Sequence, residues 1–270
     1  MLGKLMKYEI KATGRTLVPL YVVLLAFAII NKIFLETGLS AKLENLGLGG
    51  FSSIPFILSA FAYGCTMAAV FIVTFFVIVQ RFYRNLLGDQ GYLMNTLPVS
   101  TTANIASKLS IATFWNIISG IIAILSIIIM TFDPGTFGRI FSDFFRVLSE
   151  AYGEFGIQTY IIILEIIIAT LMQLAKFVCM IYASISIGHL FSKHKILYSF
   201  GAFVVLNLIA AAISSTIGIA FSLSNLRNLN IEFIWHIHLI IILVIIFNLI
   251  FFLVYFIITN YILKNKLNLE

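Results

Sequence analysis

The sequence predicts an all-α integral membrane protein with six transmembrane helices, cytoplasmic N and C termini and an N-terminal amphipathic interface helix. Three observations point there. Hydrophobic residues fill 61% of 270 positions and charged residues only 10%, which leaves too little polar cover for a water-soluble domain of this size. The apolar residues are gathered into six runs, 17–35, 55–79, 109–130, 157–188, 196–219 and 235–262. A helix rises about 1.5 Å per residue, so about 20 residues cross a hydrocarbon core of roughly 30 Å, and each run is near or above that length. Finally, the charges between the runs sort by side. Barrel strands are excluded, because they would be about ten residues long and would alternate in polarity.

In chain order, segment 1–15 places Leu2, Leu5, Met6 and Ile10 at helical spacing, with Lys4, Lys7 and Lys11 around them. That pattern describes a helix lying at the membrane interface, its apolar stripe toward acyl chains and its lysines toward headgroups. Gly14 interrupts the pattern just before the chain is expected to turn into the membrane. The first run has a basic start and an Ala26-Phe27-Ala28 triplet, the outline of a signal peptide. Apolar sequence continues past Ala28, so the run is read as a retained spanning helix. Asn31 and Lys32 fall near its outer end, where a lysine can snorkel. Cys65 and Cys179 stand alone within apolar runs and read as small buried hydrophobes.

Between the second and third runs, Gly88 and Gly91 bracket polar residues suited to a turn. Leu93, Met94 and Leu97 then form a short exposed apolar ridge, Pro98 ends any helix there, and Ser100 or Thr101 is placed to cap the next helix. A purely topological loop needs no such ridge, so lipid or a second polypeptide is expected to cover it. The glycines form no P-loop, because no Gly-Lys-Ser/Thr ending occurs in the chain.

On the opposite side, segment 132–156 reads as an amphipathic helix. Ile140, Phe141, Phe144, Phe145 and Leu148 make its apolar face; Arg139, Asp143, Arg146 and Glu150 lie mainly opposite, with Arg146 and Glu150 at i,i+4. Segment 214–234 mixes Ser, Asn, Gly and apolar residues and reads as an outer segment able to dip back into the membrane.

The basic residues set the orientation. Lys4, Lys7, Lys11, Arg15, Arg81, Arg84, Lys108, Lys193, Lys195, Lys264 and Lys266 fall on one side; Lys32, Lys42, Arg139, Arg146 and Arg227 fall on the other. Lys and Arg collect on the cytoplasmic face, which puts both termini there. The net charge of +6 is spread over juxtamembrane segments without a recognition motif. It suits anionic lipid headgroups and argues against nucleic acid.

Within the fourth run stand Glu165, Gln173 and Lys176. Glu165 and Lys176 face roughly the same way about 16 Å apart along the axis, too far to pair within one straight helix. Each is expected to point into protein or toward water, because a charge in hydrocarbon costs at least ~2.5 kcal/mol. All three are candidates for a translocation path or subunit seam, with Gln173 and Lys176 sharing one face. The plainer reading pairs Glu165 with a neighbouring helix and lets Lys176 snorkel. His236 and His238 are two apart on different helix faces, and His189 and His194 belong to the other side of the membrane. The four therefore assemble no zinc site and read as interfacial polar residues. Neither His-Glu-x-x-His nor Gly-x-Ser-x-Gly occurs, so no catalytic, cofactor or metal residue is assigned.

With these residues in view, the chain resembles the permease subunits of bacterial type-two ABC exporters, in the short-chain form of Gram-positive bacteria. The likeness covers the whole length, 1–270, as one transmembrane permease domain. Its most specific part is 81–100, Arg-Phe-Tyr-Arg-Asn-Leu-Leu-Gly-Asp-Gln-Gly-Tyr-Leu-Met-Asn-Thr-Leu-Pro-Val-Ser, similar to the family's Gly-(Asp/Glu)-x-Gly-Tyr-Leu run followed by Thr-Leu-Pro-Val. The resemblance implies a coupling loop gripped by a cytosolic ABC ATPase, with Arg84, Leu87, Asp89, Tyr92, Leu93, Thr96 and Leu97 at the contact and Lys4, Lys7 and Lys11 flanking it.

It further implies a second permease copy or a homologous permease in the bacterial cell membrane. Spans two and five would form the seam, where Ala210-Ala211-Ala212 and Ser214-Ser215 permit close helix approach. No cofactor belongs to this chain; ATP and Mg would be bound by the partner ATPase. The family often places its outer helical elements between spans five and six, whereas here the clearest one lies between spans three and four. An amphipathic peptide, a drug or a lipid fits as cargo, and an ion-coupled secondary transporter or a non-transport receptor or assembly protein are the competing functions.

Overall fold

A computed structural model of the protein describes residues 2–37, 54–88, 100–191, 193–223 and 233–266. Its helices are α1 (Leu2–Thr37), α2 (Ile54–Phe82) continued by a π-helical turn (Tyr83–Leu87), α3 (Thr101–Thr131), α4 (Pro134–Phe155), α5 (Gln158–Gly188), α6 (Lys195–Leu223) and α7 (Phe233–Asn265). All but α4 are long and apolar enough to cross a membrane, so the chain is a polytopic all-α membrane protein. The described residues contain no strand. Large apolar side chains stand exposed along the spanning helices, among them Phe61, Ile124, Leu164, Phe200 and Ile257. Water would penalise each at roughly 25 cal/mol per Å² of apolar surface; acyl chains do not.

Several helices outrun the apolar pattern that announces them. The helix containing the first run begins at Leu2 and passes through both Gly14 and Pro19 without ending. Gly14 therefore makes no break. It is buried, and a Cβ there would stand 3.3 and 3.4 Å from two Trp115 ring carbons, so the position is small because an indole packs against it. At its far end α6 continues through Ser214 to Leu223, so that part of 214–234 is regular helix; 224–232 lie outside the described residues. Residue Ser100 caps α3: its Oγ accepts from the Ala103 N–H at 3.3 Å.

The amphipathic α4 spans the predicted outer segment, with Ile140, Phe141, Phe144 and Phe145 exposed. Arg146 pairs with Asp143 at 3.0 Å, one turn back along the helix. The helix ends at Gly156, whose φ of 61° places it in the left-handed region that glycine tolerates best. Its N–H donates to the Tyr152 carbonyl at 2.7 Å, and the Thr159 hydroxyl donates to the Ala151 carbonyl at 2.9 Å.

The chain forms two compact units. One comprises Gly3–Ile78 and Phe114–Arg146 and is tied by polar rungs. Tyr21 Oη and Ser119 Oγ lie 2.8 Å apart, Thr74 Oγ1 and Ser119 Oγ 3.0 Å, and Tyr63 Oη and Ser126 Oγ 2.9 Å. Asn31 donates to the Ser59 carbonyl at 3.1 Å, and Ser59 Oγ donates back to Asn31 Oδ1 at 3.0 Å. Because lipid is as apolar as leucine, such bonds and close packing hold membrane helices together, at about 0.6–2 kcal/mol each.

The other unit comprises Met1–Leu2, Val79–Thr113 and Val147–Glu270, and in it α5 packs against both α6 and α7. Cys179 is buried there and its thiol points to the Phe252 carbonyl at 3.8 Å, whereas Cys65 is exposed rather than buried. Where α5 meets α6, a Cβ on Gly188 would come within 2.5 Å of the Ser199 backbone nitrogen and 2.6 Å of its Cα. Gly201→Ala would meet nothing within 4 Å. Gly188→Ala is therefore expected to lower stability by about 1–3 kcal/mol. Gly201→Ala should be neutral or raise it by up to about 1 kcal/mol. Thermal unfolding in detergent distinguishes them.

Candidate functional site

Helix α5 brings two polar clusters against α7. In the first, Glu165 meets His238: Nδ1 lies 3.0 and 2.9 Å from the two carboxylate oxygens. An ionised carboxylate only accepts, so Nδ1 carries the proton and donates. On the other side of the ring, Nε2 lies 3.1 Å from Gln158 Oε1. The Gln158 amide can serve either proton state of the ring: its oxygen accepts from a protonated Nε2, and its rotated NH2 donates to a bare one. The His238 and Glu165 side chains are only 7% and 16% exposed, so the hydrogen bond gives each a partner that apolar surroundings would otherwise deny it. Trp235 tilts against the imidazole at 5.9 Å between ring centres. With Ile161, Leu239, Ile242 and Leu243 these groups line a groove of about 770 Å³.

The second cluster surrounds Lys176. Gln173, Lys176, Ser214 and Asn248 line a groove of about 520 Å³ whose walls include Ile217, Leu243 and Phe247. The ammonium sits 5.4 Å from the centre of the Phe247 ring, a cation–π contact worth about 0.5–2 kcal/mol. Among the described residues no carboxylate lies within ion-pair distance of it. Asn248 is 2% exposed. An uncompensated charge at the centre of a spanning helix costs about 2.5–3.5 kcal/mol on insertion scales, and the two clusters differ in kind: Glu165 has a hydrogen-bond partner, whereas Lys176 has an aromatic face.

A third feature lies where α2 ends. Phe82 is fully buried and stacks on Tyr182 of α5, 4.0 Å between ring centres and 10° from parallel. Tyr83 tilts against His189 at 5.9 Å. The backbone then widens into the π turn, closed by the Gly88 N–H donating to the Tyr83 carbonyl at 2.8 Å. Asn85, Leu86 and Leu87 are buried, and Arg84 is exposed. The Leu87 carbonyl accepts a hydrogen bond from His189. Burial holds His189 below the usual imidazole range, and the positive charge of Lys195 lowers it further; hydrogen bonds to backbone oppose both effects.

Of the residues singled out by sequence, Glu165, Gln173 and Lys176 all line grooves against α7. Lys7 and Lys11 are exposed on α1. The placement of Leu87 gives it an internal contact in place of an exposed surface. Asp89, Tyr92, Leu93, Thr96 and Leu97 lie outside the described residues, as does the side chain of Lys4. Sequence reasoning missed His238 as the partner of Glu165. The available signal was depth: Glu165 lies about 10 Å into α5 and His238 about 8 Å into α7, counted from the N-termini of two helices that run the same way. No protein-family model, curated protein or solved structure matches the chain.

This geometry can be tested in two ways. His238→Phe is expected to cost about 2–4 kcal/mol by stranding Glu165, while adding Glu165→Leu should recover part of that loss; a thermodynamic cycle of single and double variants reads the coupling. The second test concerns pH. Because the folded value of His189 is depressed, the unfolded chain takes up its proton first as pH falls through about 6.5. Stability from this group is therefore present above that pH and is lost toward the lower folded value. Relative to His189→Gln, the wild type should lose thermal stability between about pH 7 and pH 5. Parallel profiles would remove His189 from this account.

Proposed function

We propose that the chain is the membrane-spanning subunit of an ATP-driven exporter in a bacterial cell membrane, with both termini in the cytoplasm. On this reading it pairs with a second permease copy or a homologous permease and is driven by separate cytosolic ABC ATPase subunits. The chain itself is not catalytic: ATP and Mg bind the partner. The observation that carries the reading is the junction of the 81–100 segment with α5. The sequence Arg-Asn-Leu-Leu-Gly-Asp-Gln-Gly-Tyr-Leu comes just after Phe82, which is stacked on Tyr182. A force applied to such a loop would pass through buried rings into the helix that carries Glu165, Gln173 and Lys176. ATP binding then does work only if it favours one arrangement of that helix over another. The small residues Ala211, Ala212, Ser214 and Ser215 are exposed on α6 and suit the close packing of a permease pair.

A second reading, ion-coupled transport, draws on the buried Glu165–His238–Gln158 cluster, since intramembrane carboxylates and histidines form proton relays in transporters. The two readings part on the source of energy. Leu93→Asp together with Leu97→Asp is expected to release the copurifying ATPase and to abolish ATP-dependent transport, while the variant elutes from size exclusion as the wild type does. Transport that continues unchanged without any ATPase favours ion coupling. An absence of any nucleotide-hydrolysing partner after cross-linking in intact membranes would remove the exporter reading.

A further inference from the structure

We infer that the groove around Lys176 binds the negatively charged headgroup of a membrane-embedded amphiphile. The position comes first. Lys176 lies about 27 Å along α5 from Gln158 and about 18 Å from Gly188. Asn248 falls at the middle of α7, between Phe233 and Asn265. The site is therefore deep within the spanning segments, far from either helix end.

The chemistry of the lining comes second. A lysine ammonium has three donors and no acceptor; the amides of Gln173 and Asn248 and the hydroxyl of Ser214 add further donors. Among the described residues the ammonium has the face of Phe247 and no carboxylate. The Asn248 side chain, 2% exposed, also lines the groove. A cation and a buried amide line one space, and an acceptor-rich anion would bond to both. Glu165 does not fill this role, because it stands some three turns away and is already engaged by His238.

The walls decide what kind of anion. Ile217, Ile240, Leu243 and Ile250 make the groove mainly apolar, and it is open along one side. A small hydrated anion gains nothing from those walls and loses its water. An amphiphile seats its headgroup at Lys176 and leaves its tail along the helices or in lipid. The volume of about 520 Å³ lies within the roughly 300–1,000 Å³ of small-molecule sites.

This inference deepens the export reading by naming a class of cargo and rests on it for meaning. The experiment asks only whether the chain binds, without ATPase, so the two can fail separately. The full-length chain, purified in a neutral detergent, is titrated with oleate or with oleyl alcohol, which differ only in the headgroup, and adducts are counted by native mass spectrometry. Wild type is expected to prefer oleate by about ten-fold or more, as charge-assisted hydrogen bonds imply. Lys176→Met should abolish the preference and Lys176→Arg should retain it. Should the methionine variant not survive purification, Asn248→Leu carries the same comparison and should weaken oleate alone. Excess inorganic phosphate should displace nothing. Equal binding of the two probes by wild type, a preference unchanged in the variants, or displacement of oleate by phosphate overturns the assignment.

Discussion

The stack of Phe82 on Tyr182 is the contact on which the functional half of this molecule depends. Both rings are buried, and they lie nearly parallel at 4.0 Å. Such pairs add about 0.5–1.5 kcal/mol beyond the burial of their area, and they resist sliding because each ring is hemmed in by its own helix. Phe82 is the last α-helical residue before the π turn; without its anchor the turn would be a loose end. With it, Leu86 and Leu87 settle beside the stack as buried residues, and the His189 contact to the Leu87 carbonyl closes the corner. The π turn is therefore attached to α5 through packed side chains.

The burial pattern along α5 shows why this attachment matters. From Val178 to Ser186 the helix is buried on every face, whereas from Tyr160 to Phe177 almost none of it is. One end is gripped and the other is only lightly covered. Both grooves lie along the lightly covered part, sharing Leu243 of α7. Interiors packed to crystal density transmit displacement and hardly compress, so on the proposed export reading a shift imposed at the gripped end would move the grooved end with it. Small residues accompany the grip: Gly188 lets Ser199 approach, and Ala183, Ser184 and Ser186 are buried.

Six spanning helices are legible in the sequence because length and apolarity are local properties, and hydrocarbon admits few alternatives. The amphipathic α4 is legible for a similar reason: Phe141, Phe144 and Phe145 repeat at helical spacing whatever surrounds them. Boundaries are harder. An apolar run marks only the part of a helix that lies in lipid, so α2 and α3 extend past their runs with polar residues that still satisfy their backbone internally. Gly14 reads as a break because glycine has low helix propensity, yet the helix continues. Tertiary packing against Trp115 overrides a propensity cost of about 1 kcal/mol. The Glu165–His238 pair joins residues on helices far apart in sequence. Periodicity places each on a face; it does not say which faces meet.

Glu165 and Lys176 differ in how their surroundings meet them. Both stand in the same helix and both meet α7. Glu165 has a hydrogen-bond partner whose other nitrogen is also satisfied. Such a cluster is complete, and a ligand could enter it only by breaking bonds already made. Lys176 has the face of a phenylalanine and a groove edged by donors. A cation–π contact recovers only part of the desolvation of an ammonium, so the resting protein holds an unmet demand for negative charge deep in its span. A cargo that supplies this charge would stabilise the arrangement of α5, α6 and α7 that forms the groove, and a rearrangement that opens the groove would release it. Differential affinity of that kind is what any transport cycle requires, and on the proposed export reading Lys176 is where it would arise.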